Sequence, residues 1–447
     1  MTPSQPPPLR ILISGGGIAG PCVAYWLLRS HPQTPSTPPI HITIVERSAT
    51  PRNGGQAVDI RDAGVNVIQA MGVEQAIRDM GTTEAGVDVI YADGITKARF
   101  PATGDVSSQS FTSEFEVLRG DLAGIFQQKV EELDGGEGRV EWVFDEVVEE
   151  VTQQDEDGKV IVRFKNKLGM REFDLVVGAD GLISNVRRKV WGHGPGGNEY
   201  LDRKGQYISF FTIPREESDN KFAQWYSTSK GRLAVTRPSR FNDTRGLLAV
   251  CDSDMSRFDG IAKAMKQGPE KQKEWLATQF EGAGWITERL IKGMRETNDF
   301  YIQEMAQVKM GEEGWVKGRV VLCGDAGFCP SPISGMGTTC ALVGAYVLAG
   351  ELSNSPDDIA KALERYQEVL RPFIDQCQKL YPGAPQSMQP QSEWGVRLLN
   401  LLITAASNPL AKRVGSILSG IGSTLGGIST MIFSSARWKL PKYSAFE

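Results

Sequence analysis

The sequence predicts an α/β fold: a parallel sheet assembled from separated segments, an inserted antiparallel sheet, and a helical C-terminal segment. Three observations predict it. Residues 11–46 read strand, helix, strand, which is a βαβ unit. Two more buried-strand patterns, at 172–177 and 318–323, end in Gly/Asp clusters far along the chain. Between them, residues 206–252 carry short β-rich runs such as Tyr207 to Ile213 and Leu247 to Val250.

The chain has 447 residues, 40% hydrophobic and 23% charged, so it can bury a large core and whole-chain disorder is excluded. Lysine and arginine number 49 against 54 acidic residues, a net charge of −5. That balance argues against nucleic acid as a partner, which needs a basic face against phosphates. Six cysteines without a C-x-x-C pair predict neither a disulfide scaffold nor a metal site. No apolar stretch precedes the first strand, so no signal peptide is expected, and a cytoplasmic location fits the free thiols. Three histidines and no G-x-S-x-G leave Ser-His-Asp chemistry poorly supplied.

The first strand, Ile11-Leu12-Ile13-Ser14, runs into Gly15-Gly16-Gly17-Ile18-Ala19-Gly20. In G-x-G-x-x-G the first glycine permits the tight turn. The second lets a pyrophosphate approach the backbone, and the third lets the helix pack on the strand. The helix start then points unpaired N–H groups at the phosphates. Gly192 to Gly197 fits the same string but opens no helix, so it reads as a loop. His31 to Pro39 is Pro-rich and reads as a surface loop. The second strand, Ile40 to Glu46, ends in a carboxylate suited to ribose hydroxyls, 26 residues past Gly20. A second cluster, Asp174 to Gly181, runs a strand into the Asp180-Gly181 turn and continues to Ser184 and Arg187. A third is Gly324-Asp325-Ala326, followed by Pro330, Pro332, Gly335 and Gly337. Its aspartate is able to bond a ribityl or ribose hydroxyl, and its small residues let a planar ring approach backbone amides.

These three clusters, in this order, resemble the class A FAD-dependent aromatic hydroxylases, the para-hydroxybenzoate hydroxylase-like monooxygenases. The resemblance covers about residues 9–382. The run Gly54 to Arg61 (GGQAVDIR), Leu118 to Leu122 (LRGDL) and the Lys439 to Tyr443 ending (KLPKY) resemble the subgroup with tetracycline-modifying and fungal secondary-metabolite monooxygenases. The resemblance implies that Gly15, Gly17, Ile18, Ala19, Gly20, Glu46 and Arg47 hold the adenosine diphosphate half of FAD. It places Gln56, Arg61 and Arg119 on the flavin side and Asp325 at the ribityl chain. Pro332, Gly335, Met336 and Gly337 then border the flavin, with Gly335 and Met336 offering N–H groups, and Asp180-Gly181 serves FAD and the nicotinamide donor. The implied activity uses NADPH or NADH and O2 to hydroxylate an aromatic, polyketide or alkaloid-like molecule through a flavin C4a-hydroperoxide. Baeyer–Villiger oxidation or epoxidation on the same scaffold, and a non-catalytic flavin-binding protein, are the alternatives. A flavin halogenase would need W-x-W-x-I-P, which is absent.

Tyr207, Tyr226 and Arg232 lie in the strands expected to line the substrate cavity and are the candidate catalytic residues, with Phe210, Phe211 and Trp225 as further lining. The expected domains are 9–86, 114–190 and 300–382 for FAD, 87–113 and 191–299 for substrate, and 383–447 as a helical tail. Val414 to Ala436 carries no charge over 23 residues. It is long enough to span a bilayer, but its five glycines make it marginal, so a packed helix is favoured over a membrane anchor. The chain is expected as a monomer or dimer.

Overall fold

The computed structural model describes residues 8–31, 39–51, 54–82, 84–101, 115–153, 158–192, 199–407 and 438–447. The Pro-rich loop after His31, most of the Gly192–Gly197 loop and the uncharged 414–436 segment lie outside the described residues.

The βαβ unit forms as strand Leu9–Ser14, helix Ala19–Ser30 and strand Ile40–Glu46. These strands sit inside a six-stranded sheet. Its spatial order is Val316–Lys317, Val320–Leu322, Leu175–Gly178, Leu9–Ser14, Ile40–Glu46, Val140–Phe144, all parallel except the first. So the strands the sequence leaves far apart become neighbours. Ile11, Leu12 and Ile13 are fully buried, because a parallel sheet carries cover on both faces and its strands read as continuous apolar runs. Helix Ala19–Ser30 packs against helices Arg119–Asp134 and Gly337–Asn354. The latter is apolar all round and almost wholly buried, the signature of a core helix.

A seven-stranded sheet shares one cavity with the loop ends of this sheet. Its order is Phe300–Val308, Leu201–Pro214, Asp243–Cys251, Arg232–Pro238, Ala223–Thr228, Gly86–Ile90, Thr96–Pro101. All its pairings are antiparallel except Ala223–Thr228 with Gly86–Ile90. Strand Phe300–Val308, which the sequence groups with the cofactor segments, is therefore an edge of the second sheet. Helices Asp259–Gln267, Pro269–Phe280 and Thr287–Glu296 cover one face through a separate core that includes Phe211, Tyr226, Leu248, Phe280 and Leu290. The other face is left toward the cofactor side.

The described parts of the expected tail touch the rest of the fold. Helix Glu393–Ser407 contributes Leu399 and Ile403 to the central cavity. Residues 438–447 return to the first core: Tyr443 donates to Glu351 at 2.8 Å, and Phe446 packs on Trp26 at 4.5 Å. A Cβ at Gly350 would stand 2.2 Å from the Tyr443 ring. Tyr443→Ala is expected to cost about 3–5 kcal/mol, as for other buried aromatic truncations, read as a lowered denaturant midpoint. No described helix is long and apolar enough to cross a membrane.

Candidate functional site

Gly15 adopts φ +119°, and a Cβ there would lie 2.3 Å from the Ala179 carbonyl oxygen on the neighbouring strand. At Gly20 a Cβ would lie 1.9 Å from the Gly15 carbonyl oxygen. Both glycines are thus required by close backbone packing. Ile18 caps the helix, and the N–H groups of Ala19 and Gly20 have no acceptor within it, while Pro21 has no N–H to satisfy. Glu46 is held at the end of its strand: Gly16 N–H donates to its Oε2 at 3.0 Å and Ser48 N–H to its Oε1 at 2.9 Å. A Cβ at Gly17 would be 3.7 Å from Arg119 Nη2, so the guanidinium overhangs the loop. Arg119 is itself positioned by its N–H donating to the Gln56 carbonyl at 3.0 Å.

This loop opens into one cavity of about 1950 Å³. Small-molecule pockets run to about 1,000 Å³, so there is room for a dinucleotide and a second ligand. Arg47, Gln56, Arg61, Asp180, Asp325, Pro332, Gly335, Met336 and Gly337 line it too. Asp325 starts a short helix, Asp325–Phe328, after Gly324 at φ +65°. Burial pushes its carboxyl up, partly offset by Arg119. A desolvated carboxyl facing a cavity suits ligand hydroxyl donors. Cradle, strand-end carboxylate, Asp325 and cavity size together fit FAD.

Two sequence readings change in detail. Asp180 is occupied by its own chain: it accepts from Ser184 Oγ at 2.5 Å and from the N–H groups of Asn185 and Val186 at 2.7 and 3.1 Å. It shapes the turn beneath the cavity. The N–H groups of Gly335 and Met336 are likewise committed, to the Pro332 carbonyl at 3.0 Å and Ser334 Oγ at 3.1 Å. The first-turn N–H groups of the helix beginning at Gly337 are the ones without intrahelical acceptors. Arg61, expected on the flavin side, lines the cavity; it is 6% exposed, paired with Asp59 at 2.8 Å, and its N–H donates to Thr339 Oγ1 at 2.9 Å.

The substrate-side wall is one register row across the antiparallel sheet. Val89, Trp225, Val235, Leu247, Phe210 and Tyr301 are successive cross-strand partners, and all line the cavity. Phe210 and Tyr301 stack at 5.1 Å, and the Tyr301 hydroxyl donates to Gln56. Side chains alternate between faces, so Tyr226 and Arg232 point the other way. Tyr226 donates to the Ala283 carbonyl at 2.8 Å, and Arg232 donates to the carbonyls of Ser229 and Gln279 at 2.9 and 3.2 Å. They anchor the covering helices and are not brought to the cavity. Phe211 shares that side, in the helix-covered core. Tyr207 borders the cavity from the helix-covered side, its ring 5.1 Å from Phe258 and its hydroxyl at Glu304. Burial raises its phenol, so it stays protonated at neutral pH. Tyr226→Phe is expected to lower stability by about 1–3 kcal/mol, the cost of one orphaned buried carbonyl. It should leave kcat/KM within about twofold, whereas Trp225→Ala should raise KM about tenfold; steady-state kinetics separates the two.

Sequence reasoning missed a set of charged residues on the cavity: Asp59, Glu84, Glu116, Arg203, Arg237 and Glu304. Arg237 joins Glu84 and Glu116, and Arg203 approaches Glu304 at 3.6 Å. Asp59 lies inside the Gly54 to Arg61 run and Glu116 three residues before Arg119; the other four sat near no recognised motif.

Comparison with known proteins agrees with this geometry. The FAD-binding domain family matches residues 9–379. A monooxygenase of Cercospora beticola is 34% identical over 402 residues, 87% of this chain and 90% of that protein. An FAD-dependent monooxygenase of Sarocladium schorii is 32% identical over 448 residues, 98% of this chain and 99% of that one. The crystal structure of the tetracycline destructase Tet(51) superposes with a TM-score of 0.69 at 30% identity, over 98% of this chain and 100% of that one. A glycine cradle on the first strand of a parallel sheet, an aspartate facing the same cavity and these full-length relatives lead to one conclusion: the chain belongs to the FAD-binding domain family and is an FAD-dependent monooxygenase.

Proposed function

We propose that the enzyme uses NADPH and O2 to hydroxylate an aromatic or polycyclic small molecule. The observation that carries this is the single cavity that joins the glycine cradle to the Trp225–Phe210 wall. Likeness to a tetracycline destructase supports a polycyclic substrate, and likeness to fungal monooxygenases supports the oxygen transfer.

FAD, when bound, supplies nicotinamide oxidation and O2 activation, so the protein need not supply strong acid–base chemistry. This chain's residues bind, orient and dry the site. Gly17, the helix start at Ala19 and Arg119 would hold the pyrophosphate. Glu46 would take the ribose and Asp325 the ribityl hydroxyls. The first turn at Gly337 and Thr338 would offer N–H donors and the positive end of its dipole to the flavin. Gln56 and Tyr301, bonded to each other, close one side, and Trp225, Val235, Leu247 and Phe210 present a flat apolar surface that stacks a ring and excludes water. The test is turnover of a polycyclic phenol with NADPH under ¹⁸O₂. One labelled oxygen in the product supports the reading; label taken only from water, or NADPH oxidation that no aromatic ligand stimulates, counts against it.

A further inference from the structure

One corner of the cavity holds three carboxylates and two guanidinium groups. Arg237 lies between Glu84 and Glu116: its Nε donates to Glu84 Oε2 at 2.7 Å and its Nη2 to Glu116. Thr82 Oγ1 donates to Glu116 Oε2 at 2.6 Å. Asp59 stands directly across the β ladder from Glu116 and pairs with Arg61 at 2.8 Å. Fully ionised, these five residues carry one negative charge in excess. The excess is buried, since the Glu84 and Glu116 side chains are 2% and 6% exposed. A buried charge is costly unless it is paired and hydrogen-bonded. Glu84 Oε1 and Asp59 Oδ1 are buried with no hydrogen-bond partner, and both residues line the cavity. Arg237 shares its strand face with Val235, so this corner adjoins the apolar row.

We propose that this corner is a subsite for a cationic nitrogen of the substrate, a protonated amine or amidinium carried on the aromatic frame, with Glu84 as its principal acceptor. The proposal rests on the reading that the cavity takes an aromatic small molecule, and it adds the charge class. An ammonium group offers donors and no acceptor, which matches carboxylate oxygens that lack donors. An anionic substituent would instead meet the excess negative charge. When no cation is present, Glu116 takes up the slack. Burial pushes its carboxyl up to about 7; Glu84 and Asp59 add to this, while Arg237 and Thr82 oppose it. A cation bound at Glu84 therefore favours loss of the Glu116 proton, and binding near neutral pH releases up to one proton.

The test titrates the FAD-loaded full-length protein at about pH 7 with two fluorescent tricyclic probes, 9-aminoacridine, which is cationic, and acridone, which is neutral. The expected result is that 9-aminoacridine binds about tenfold more tightly than acridone. Glu84→Gln should abolish most of that preference and leave acridone within about twofold of its wild-type affinity. Calorimetry in buffers of different ionisation enthalpy should show proton release with 9-aminoacridine and none with acridone. Equal affinity of the two probes, or a preference that survives in Glu84→Gln, overturns the proposal. Acridone binding without a cation preference overturns this subsite alone; failure of both probes to bind overturns the aromatic-substrate reading with it. Should the variant lose its flavin, the wild-type probe comparison and the proton count still decide.

Discussion

Gly15→Ala is expected to yield protein without flavin. The residue sits at φ +119°, and its new Cβ would stand 2.3 Å from the Ala179 carbonyl oxygen and 2.7 Å from the Ala179 carbonyl carbon. No side chain is there to yield; the obstacle is the end of the neighbouring parallel strand. A strained φ alone costs about 1–3 kcal/mol. The clash must be relieved by parting strands Leu9–Ser14 and Leu175–Gly178 or by shifting the glycine loop. Either movement displaces the Ala19 helix start from the cavity. The purified variant should show no flavin absorbance and a lowered thermal midpoint, and added FAD should not restore either.

Arg237→Met is expected to destabilise the fold by about 3–5 kcal/mol near neutral pH, the cost of leaving buried carboxylates without their partner. Stability should recover as pH falls, because Glu116 then protonates. The wild type should show a related slope. The Glu116 carboxyl is raised to about 7 in the fold, against about 4.3 unfolded. The folded state therefore holds a proton that the unfolded state releases. That contribution is complete below the unfolded value and is lost as pH rises through about 7, for a total of about 4 kcal/mol. Denaturant midpoints between about pH 5 and pH 8 measure it, and Glu116→Gln should flatten the profile.

The parts of the site that were legible in the sequence are those dictated by backbone chemistry. Gly15, Gly17 and Gly20 are local, closely spaced and forced by turn and packing geometry, so a short string exposes them. Glu46 follows because a strand of known direction must end beside that loop. The antiparallel sheet was legible as strands, but not as faces. Tyr226 and Trp225 are adjacent, and only register decides which one meets the cavity; the same parity separates Arg232 from Leu233. Turn chemistry hid a second detail, since Pro332 and Ser334 already use the N–H groups of Gly335 and Met336. The acidic corner was only half signalled: Asp59 lies in the Gly54 to Arg61 run and Glu116 just before Arg119, but neither marks its partners. Glu84, Glu116 and Arg237 come from a loop and two different sheets, and only the assembled fold brings them within hydrogen-bond distance.

The central claim is that this fold holds a flavin that a nicotinamide reduces and oxygen reoxidises. Its most direct test is the visible spectrum of the purified protein, recorded anaerobically before and after NADPH and again after air, with and without a polycyclic phenol. The flavin bands should bleach with NADPH, most rapidly with the phenol present, and return in air. A colourless protein that fails to take up FAD, or bound flavin that neither NADPH nor NADH bleaches with or without the phenol, would contradict it.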